Sequence, residues 1–171
     1  IPKNNQFYDW IPPSPNIPDK ETAFLYNGIC LFEGTNISEG RGTNQPFRLI
    51  GAPWINSKKL MDYIQEIKKN KYGNKLIVKE SQFIPLSNKG AKNPKYENQV
   101  CNGIFIEYLD LSIEPIDLVF DLLSYFHNNY DQFLFKNNFF DKLYGSSNLR
   151  NSIINGEDLN KLRKSIDNEI M

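Results

Sequence analysis

Apolar residues recur along this chain of 171 residues with two spacings, and each spacing predicts a different kind of element. Spacings of three and four residues predict amphipathic helices. One such helix is expected over roughly 58–69, after a cap at Asn56 or Ser57, and a longer one over roughly 115–128. The apolar residues that define their buried faces are Leu60, Ile64 and Ile67 in the first helix, and Leu118, Leu122 and Tyr125 in the second.

Alternation of apolar and polar residues predicts two strands, over Leu76–Phe83 and Val100–Leu109. A shorter strand is expected over Phe47–Ile50, because Gly51, Ala52 and Pro53 follow it directly. The apolar run 29–32 fits either a buried strand or a helical turn, and its periodicity does not distinguish the two.

Capping signals predict further helices on both sides of these strands. Asp19 can cap a helix that runs through Tyr26 and ends at Asn27-Gly28. The last third, 138–170, is expected to form short helices broken at Gly145 and Gly156, and 87–98 is a polar loop. The sequence therefore predicts an α+β (or α/β) fold, with a small mixed sheet, flanking helices and a helical C-terminal tail.

Residues 1–18 differ in composition from the rest of the chain. Five prolines lie here, so the segment is expected to be extended rather than helical, and Phe7 and Trp10 indicate that it packs on a surface. The chain also begins without an initiator Met or a signal peptide. We therefore expect 1–18 to be an arm that leaves a preceding domain and 19–171 to be the domain that follows it, in a mature form, a proteolytic product or a piece of a longer protein.

Composition excludes several function classes. Lys+Arg and Asp+Glu number 20 each, so no strong field attracts nucleic acid or an acidic membrane surface, and no apolar run reaches transmembrane length. A single histidine and the absence of Cys-x-x-Cys argue against a zinc site, and no cofactor is expected. Cys30 and Cys101 lie in apolar runs and fit two buried thiols, although a disulfide in an exported protein stays open.

The run from Gly34 to Trp54, led in by Glu33, carries the densest chemistry. A carboxylate, an arginine, two hydroxyls and an amide lie between glycines, which let the backbone take positive φ and let another group come close. Such a loop can hydrogen-bond a hydroxylated ligand from several directions. The candidate ligand-binding residues of this loop are Asn36, Ser38, Arg41 and Thr43.

Each candidate also has a structural interpretation. Glu33 could be a general acid, because partial burial raises a carboxyl pKa, or it could pair with Arg41 or cap backbone amides. Arg41 suits a carboxylate or vicinal hydroxyls, or a salt bridge across its loop. Trp10, Trp54 and Tyr96 could stack on sugar rings or belong to the core. The loop contains no nucleotide-binding fingerprint, and no nucleophile motif accompanies His127, which we expect to be structural.

These residues together resemble one family, the bacterial exo-β-N-acetylmuramidases of the NamZ type, long catalogued as a domain of unknown function. The strongest matching stretches are Trp10–Pro18, Tyr26, Gly28, Leu31–Thr43, Pro46-Phe47 and Gly51–Trp54. Weaker matches follow at Phe83, Pro85, Lys95-Tyr96, Cys101, Gly103, Phe140-Asp141 and Gly145.

The resemblance implies a two-domain, secreted or periplasmic glycoside hydrolase that releases N-acetylmuramic acid from the non-reducing ends of peptidoglycan fragments. An N-terminal Rossmann-like domain would supply a catalytic glutamate, and this chain would form the other wall of the cleft. Arg41 would then bind the lactyl carboxylate, while Asn36, Ser38 and Thr43 would bind amide and hydroxyl groups. Glu33 would be a catalytic carboxylate or would orient the sugar. A non-catalytic module that binds muramyl sugars, or a structural module, remains an alternative.

Overall fold

The structure, a computed structural model, describes residues 10–110 and 112–170, and it describes side-chain burial as far as residue 164. Phe7, and with it half of the expected arm, lies outside these residues. The described elements are, in chain order, helix α1 (Lys20–Ile29), strand β1 (Leu49–Ala52), helix α2 (Ser57–Ile67), strands β2 (Leu76–Phe83) and β3 (Cys101–Tyr108), and helices α3 (Pro115–Asn129), α4 (Asn137–Tyr144), α5 (Asn148–Ile154) and α6 (Leu159–Ile170).

The three strands form one sheet in the order β1-β3-β2, which confirms the α+β class. Both strand pairs are antiparallel, so the sheet differs from the mixed one expected. For the β2–β3 pair the reason is topological, because β3 follows β2 without a helical crossover and a parallel pair needs such a crossover. In the long pair, Leu76 lies opposite Tyr108 and Phe83 lies opposite Cys101.

Strand β1 is shifted by two residues from its expected position. Phe47 has a left-handed backbone with φ of 59°, which an extended strand does not allow, and the strand therefore begins at Leu49. Gly51, expected to end the strand, instead pairs with Gly103 in β3. The expectation that Gly51 stops the strand was wrong.

The structure confirms the N-terminal capping signals, but the expected end of α1 at Asn27-Gly28 was wrong, because Gly28 is a helical residue at which a Cβ would lie 2.6 Å from the Pro115 carbonyl carbon of α3. The Asp19 side chain accepts a hydrogen bond from the Thr22 backbone N–H, and the Asn56 side chain accepts one from Lys59. Helix α1 continues directly into a 3₁₀ turn over Cys30–Gly34, so the ambiguous apolar run is helical. Helix α2 likewise continues into a π turn over Lys68–Tyr72. None of the helices in the described part of the chain is long and apolar enough to cross a membrane.

The core lies between the sheet and the helices. Helix α2 contacts β2 and β3, α1 contacts α3, and α4 contacts the 3₁₀ turn. Phe32 of that turn is completely buried and lies 6.1 Å, ring centre to ring centre, from Phe126. Burying such a side chain contributes about 1.5–3 kcal/mol, so the core holds the turn firmly. Both cysteines are free thiols, Cys101 buried and Cys30 partly so.

Candidate functional site

The 3₁₀ turn places Glu33 at the boundary between core and solvent. The side chain of its neighbour Phe32 is buried in the core and anchors the turn there. The Glu33 side chain keeps 18% of its surface exposed. Glu33 Oε1 lies 3.6 Å from Nη1 of Arg41, whose side chain is 36% exposed. The structure thus brings together the two charged residues that the sequence singled out.

The environment of Glu33 favours its protonated form. Burial raises the pKa of the carboxyl most, and the nearby negative charge of Glu39 raises it further. Arg41, Lys95 and Lys136 lower the pKa, but their combined effect is smaller, so the pKa of Glu33 stays above its ordinary value. A raised pKa is the direction that a general acid needs, and the partial exposure of Glu33 leaves its carboxyl accessible.

A buried ion pair stabilises the turn and the loop on either side of Glu33. Glu39 is buried, and its Oε2 accepts a hydrogen bond of 2.7 Å from Lys95 Nζ. The same ammonium donates to the backbone carbonyls of Phe32 at 2.6 Å and Ile37 at 2.7 Å. Lys95 therefore uses its three donors to join both ends of the turn-and-loop segment that carries Glu33.

A cavity of about 200 Å³ opens where this loop meets the segment 91–95 and the start of α4. It is lined by Glu33, Glu39, Arg41, Ala91, Lys92, Asn93, Pro94, Lys95, Lys136 and Phe139. Since Lys95 and Glu39 neutralise each other, three cations face a single remaining carboxylate, and the cavity favours an anionic ligand. Complete small-molecule sites usually enclose about 300–1,000 Å³. This cavity is smaller, as expected of a domain that provides only one side of a site.

The shape of the loop depends on close backbone contacts. Gly42 has φ of 86°, and a Cβ there would lie 2.8 Å from the Leu86 carbonyl oxygen. The Leu86 N–H also donates to the Gly42 carbonyl at 2.9 Å. From the proline-rich segment, Asn16 donates to the Gly90 carbonyl at 2.5 Å, and Arg41 Nη2 approaches the same oxygen at 3.4 Å. The described part of the arm therefore helps to position Arg41.

The short polar side chains of the loop form hydrogen bonds with the backbone of the loop itself or of neighbouring segments. The Asn36 amide donates to the Gln132 carbonyl at 2.7 Å and accepts from the Leu134 N–H at 2.9 Å. Ser38 is 1% exposed and accepts from Gly40 N–H, and Thr43 donates to the Gly40 carbonyl at 2.7 Å. None of these three side chains lines the described cavity. Their expected role in ligand binding stays a prediction, and the structure gives each a role in loop folding.

Two of the candidate stacking residues, Trp54 and Tyr96, are in contact, and none of the three lines the cavity. Trp54 Nε1 donates to the Tyr96 hydroxyl at 3.1 Å, and the Trp54 ring lies 5.3 Å from that of Tyr130. Trp10 is partly buried, and its Nε1 has no partner among the described residues. The His127 ring packs against Phe133, with ring centres 6.4 Å apart, and this contact fits a structural histidine.

Sequence reasoning identified two of the ten lining residues, Glu33 and Arg41, as site components, and it missed the other eight. Glu39 lies inside the stretch Leu31–Thr43 that resembles the family, and this position was the signal that the sequence offered for its role in the site. Lys95 lies 56 residues from Glu39, so no local spacing reveals their pairing. Lys136 and Phe139 belong to the C-terminal helices, in which the sequence pattern showed packing alone. No group of three or more potential metal ligands (His, Cys, Asp, Glu) occurs among the described residues.

The fold and the cavity define an α+β domain with a charged cavity at its surface. This chain belongs to the family described as "Exo-beta-N-acetylmuramidase NamZ, C-terminal", whose model matches residues 24–171. It is 32% identical over 158 residues to the peptidoglycan β-N-acetylmuramidase NamZ of Bacillus subtilis strain 168. The match covers 91% of this chain but 36% of that protein, so the chain spans about a third of its relative's length.

Two crystal structures of DUF1343 family proteins from Bacteroides fragilis share the fold. One is 32% identical, with a TM-score of 0.64, over 91% of this chain and 38% of the other. The second has a TM-score of 0.72 at 21% identity, over 93% of this chain and 42% of the other, and it supports the fold alone.

Proposed function

We propose that this domain forms one wall of the active site of a peptidoglycan exo-β-N-acetylmuramidase and that a preceding domain forms the other. The observation that carries the proposal is the Glu33–Arg41 pair, 3.6 Å apart at the mouth of an electropositive cavity. Family membership supports it, because the Bacillus relative is described as a peptidoglycan β-N-acetylmuramidase.

The chemistry of N-acetylmuramic acid fits the cavity. The sugar carries a lactyl carboxylate, which the planar guanidinium of Arg41 can bind through two parallel hydrogen bonds. Its hydroxyls can donate to Glu33. The raised pKa of Glu33 also suits a group that gives a proton to a glycosidic oxygen or holds the sugar through a neutral carboxyl.

The number of accessible carboxylates argues for a second domain. Most glycosidases place two carboxylates across the scissile bond, about 5–10 Å apart. Among the described residues that line the cavity, Glu39 is buried and bound to Lys95, which leaves Glu33 as the accessible acid. A second catalytic carboxylate therefore comes from outside this domain, and we expect the isolated chain to be inactive.

The proposal includes the arm and the location of the protein. We assign 1–18 as the interdomain arm, because Asn16 joins it to the segment that lines the cavity. Because peptidoglycan lies outside the cytoplasmic membrane, we also propose that the protein works in the cell envelope, as a secreted or periplasmic enzyme.

Arg41→Ala and Glu33→Gln in the complete gene product test the proposal. Each should lower kcat/KM for release of N-acetylmuramic acid by at least about 100-fold. Arg163→Ala is the matched control. Arg163 lies away from the cavity and forms a salt bridge of 3.0 Å with Asp117. Near-normal turnover in both site variants, at unchanged thermal stability, would reject the proposed role.

The single accessible carboxylate also favours a second candidate, a module that binds muramyl sugars without catalysis. Calorimetric titration of the 171-residue chain with N-acetylmuramic acid, combined with activity of the complete gene product, separates the two. Binding by the chain and a complete gene product without hydrolytic activity would favour the module. Activity that depends on Arg41 favours the enzyme.

A further inference from the structure

Phe139 is an aromatic side chain that the core does not use. It is 44% exposed, and it is the only aromatic among the large exposed hydrophobic residues of the described chain. The next residue, Phe140, is completely buried and contacts Phe135 with ring centres 4.8 Å apart. Helix α4 thus inserts one phenylalanine into the core and presents the other to the cavity that contains Glu33 and Arg41.

Lys136 lies three residues earlier and lines the same cavity. Its backbone N–H donates to the Gly34 carbonyl at 2.8 Å, which fixes the start of α4 beside the turn that carries Glu33. Its side chain is exposed, and no described residue forms an ion pair with it. The Lys136 charge is close enough to lower the pKa values of both Glu33 and Lys95.

Residues three apart at a helix start lie side by side, so Lys136 and Phe139 form one continuous surface. The surface combines a cation that has no ion-pair partner among the described residues with a half-exposed aromatic side chain, in the cavity that Arg41 also lines. A carbohydrate has a matching division, because its hydroxyls lie around the ring edge while C–H bonds cover one face. The slightly positive C–H bonds are attracted to the negative face of an aromatic ring.

We propose that Lys136 and Phe139 determine the specificity of this site for a carboxylated pyranose. Phe139 packs against the C–H face of the sugar, and the Lys136 ammonium pairs with its carboxylate together with Arg41. The inference depends on the proposed function, since it adds two specificity residues to the same site. It explains why Lys136, the residue before α4, and Phe139 in α4 both line the cavity although they lie far along the chain from the loop.

The two residues have separable effects on binding. We would measure calorimetric affinities of the complete gene product for N-acetylmuramic acid and for its lactyl methyl ester, which lacks the negative charge. Lys136→Ala should weaken binding of the acid roughly tenfold and change binding of the ester less than about twofold, and Lys136→Arg should restore most of the loss. Phe139→Ala should weaken both ligands by a similar factor, and Phe139→Tyr should bind both nearly as wild type does.

Two variants from the same region serve as controls. Lys142→Ala removes an exposed cation of α4 that does not line the cavity, and Leu134→Ala removes an exposed apolar side chain just before that helix. Both should bind each ligand as wild type does. Site variants that match the controls would overturn this inference while leaving the proposed function intact.

Thermal unfolding and the wild-type titration separate the remaining outcomes. If Phe139→Ala lowers the unfolding temperature of the complete protein but leaves affinity unchanged, Phe139 is a contact between domains, and its role as a ligand wall is rejected. If wild type binds neither ligand, the proposed function itself fails, together with this inference.

Discussion

Lys95 Nζ lies 2.7 Å from Glu39 Oε2, and this buried pair joins two segments that are 56 residues apart in the chain. The ammonium also donates to the carbonyls of Phe32 and Ile37, so one side chain holds the turn before Glu33 and the loop after it. The position of the candidate site therefore depends on the Lys95 ammonium inside the domain. The partly exposed pair Glu33–Arg41 depends on the position in which Lys95 holds the turn and the loop.

Lys95→Met should destabilise the domain strongly. The substitution leaves Glu39 buried without its cation and leaves two carbonyls without their donor, and breaking a buried pair in this way costs about 3–5 kcal/mol. Urea unfolding of the 171-residue chain measures the loss. Lys92→Met, at an exposed lysine nearby, should change the free energy of unfolding by less than about 0.5 kcal/mol.

The double variant Glu39→Gln/Lys95→Met extends this test. It removes the uncompensated charge, so it should recover part of the loss of the single variant. A single variant as stable as Lys92→Met would contradict the interpretation that the pair holds the loop.

Arg41→Met should raise the pKa of Glu33. Burial, followed by the charge of Glu39, already holds that pKa above its ordinary value, and Arg41 is the first of the groups that lower it. Removing the cation favours the protonated carboxyl, so the titration midpoint of Glu33 moves to higher pH. If Glu33 is the general acid, activity is lost as pH rises through this pKa, and the basic limb of kcat/KM moves upward in the same direction.

A carbon NMR titration of the Glu33 carboxyl in the 171-residue chain measures the shift without any need for activity. Arg163→Met is the control and should leave the midpoint of Glu33 unchanged. A Glu33 midpoint that falls, or stays constant, in Arg41→Met would show that the two side chains do not interact in solution.

Sequence patterns predicted the regular elements well, because those elements are determined locally. Helix α2 and strand β2 occur where the apolar spacing placed them, and Asp19 caps α1 as its residue type indicated. Strand β1 was misplaced, because the positive φ of Phe47 and the pairing of Gly51 with Gly103 arise from tertiary structure.

The candidate site was predictable to the extent that it is local. Glu33 and Arg41 occupy one short segment, and their motif brought both to attention. Lys136 and Phe139 reach the cavity through packing of α4 on the 3₁₀ turn, which no spacing in the sequence encodes. Short polar loop residues are equally ambiguous, since a hydroxyl or amide that suits a sugar also suits a neighbouring backbone group.

Gly42→Ala should destabilise the domain more than Gly145→Ala. Both glycines have left-handed backbones, with φ of 86° and 92°, and an alanine there costs about 1–2 kcal/mol. A Cβ at Gly145 meets nothing within 4 Å, whereas one at Gly42 would lie 2.8 Å from the Leu86 oxygen and from Pro94 Cγ. Overpacking adds about 1–3 kcal/mol at Gly42 alone.

Urea unfolding of the two glycine variants isolates this contact, because the backbone cost is common to both. Gly42→Ala should also weaken sugar binding in the complete protein, since the added Cβ would displace Pro94, which lines the cavity. Equal destabilisation by the two variants would mean that the loop relaxes freely around Gly42.

Asn36→Ala should lower stability without changing ligand affinity. The Asn36 amide forms two hydrogen bonds to the backbone, to the Gln132 carbonyl and from the Leu134 N–H, and each contributes about 0.5–1.5 kcal/mol. The free energy of unfolding should therefore fall by about 1–3 kcal/mol, whereas Asn44→Ala, at an exposed asparagine of the same loop, should have almost no effect. Affinity for N-acetylmuramic acid, measured well below the unfolding temperature, should match wild type. Lost affinity at unchanged stability would instead assign Asn36 to the ligand, as its residue type alone suggests.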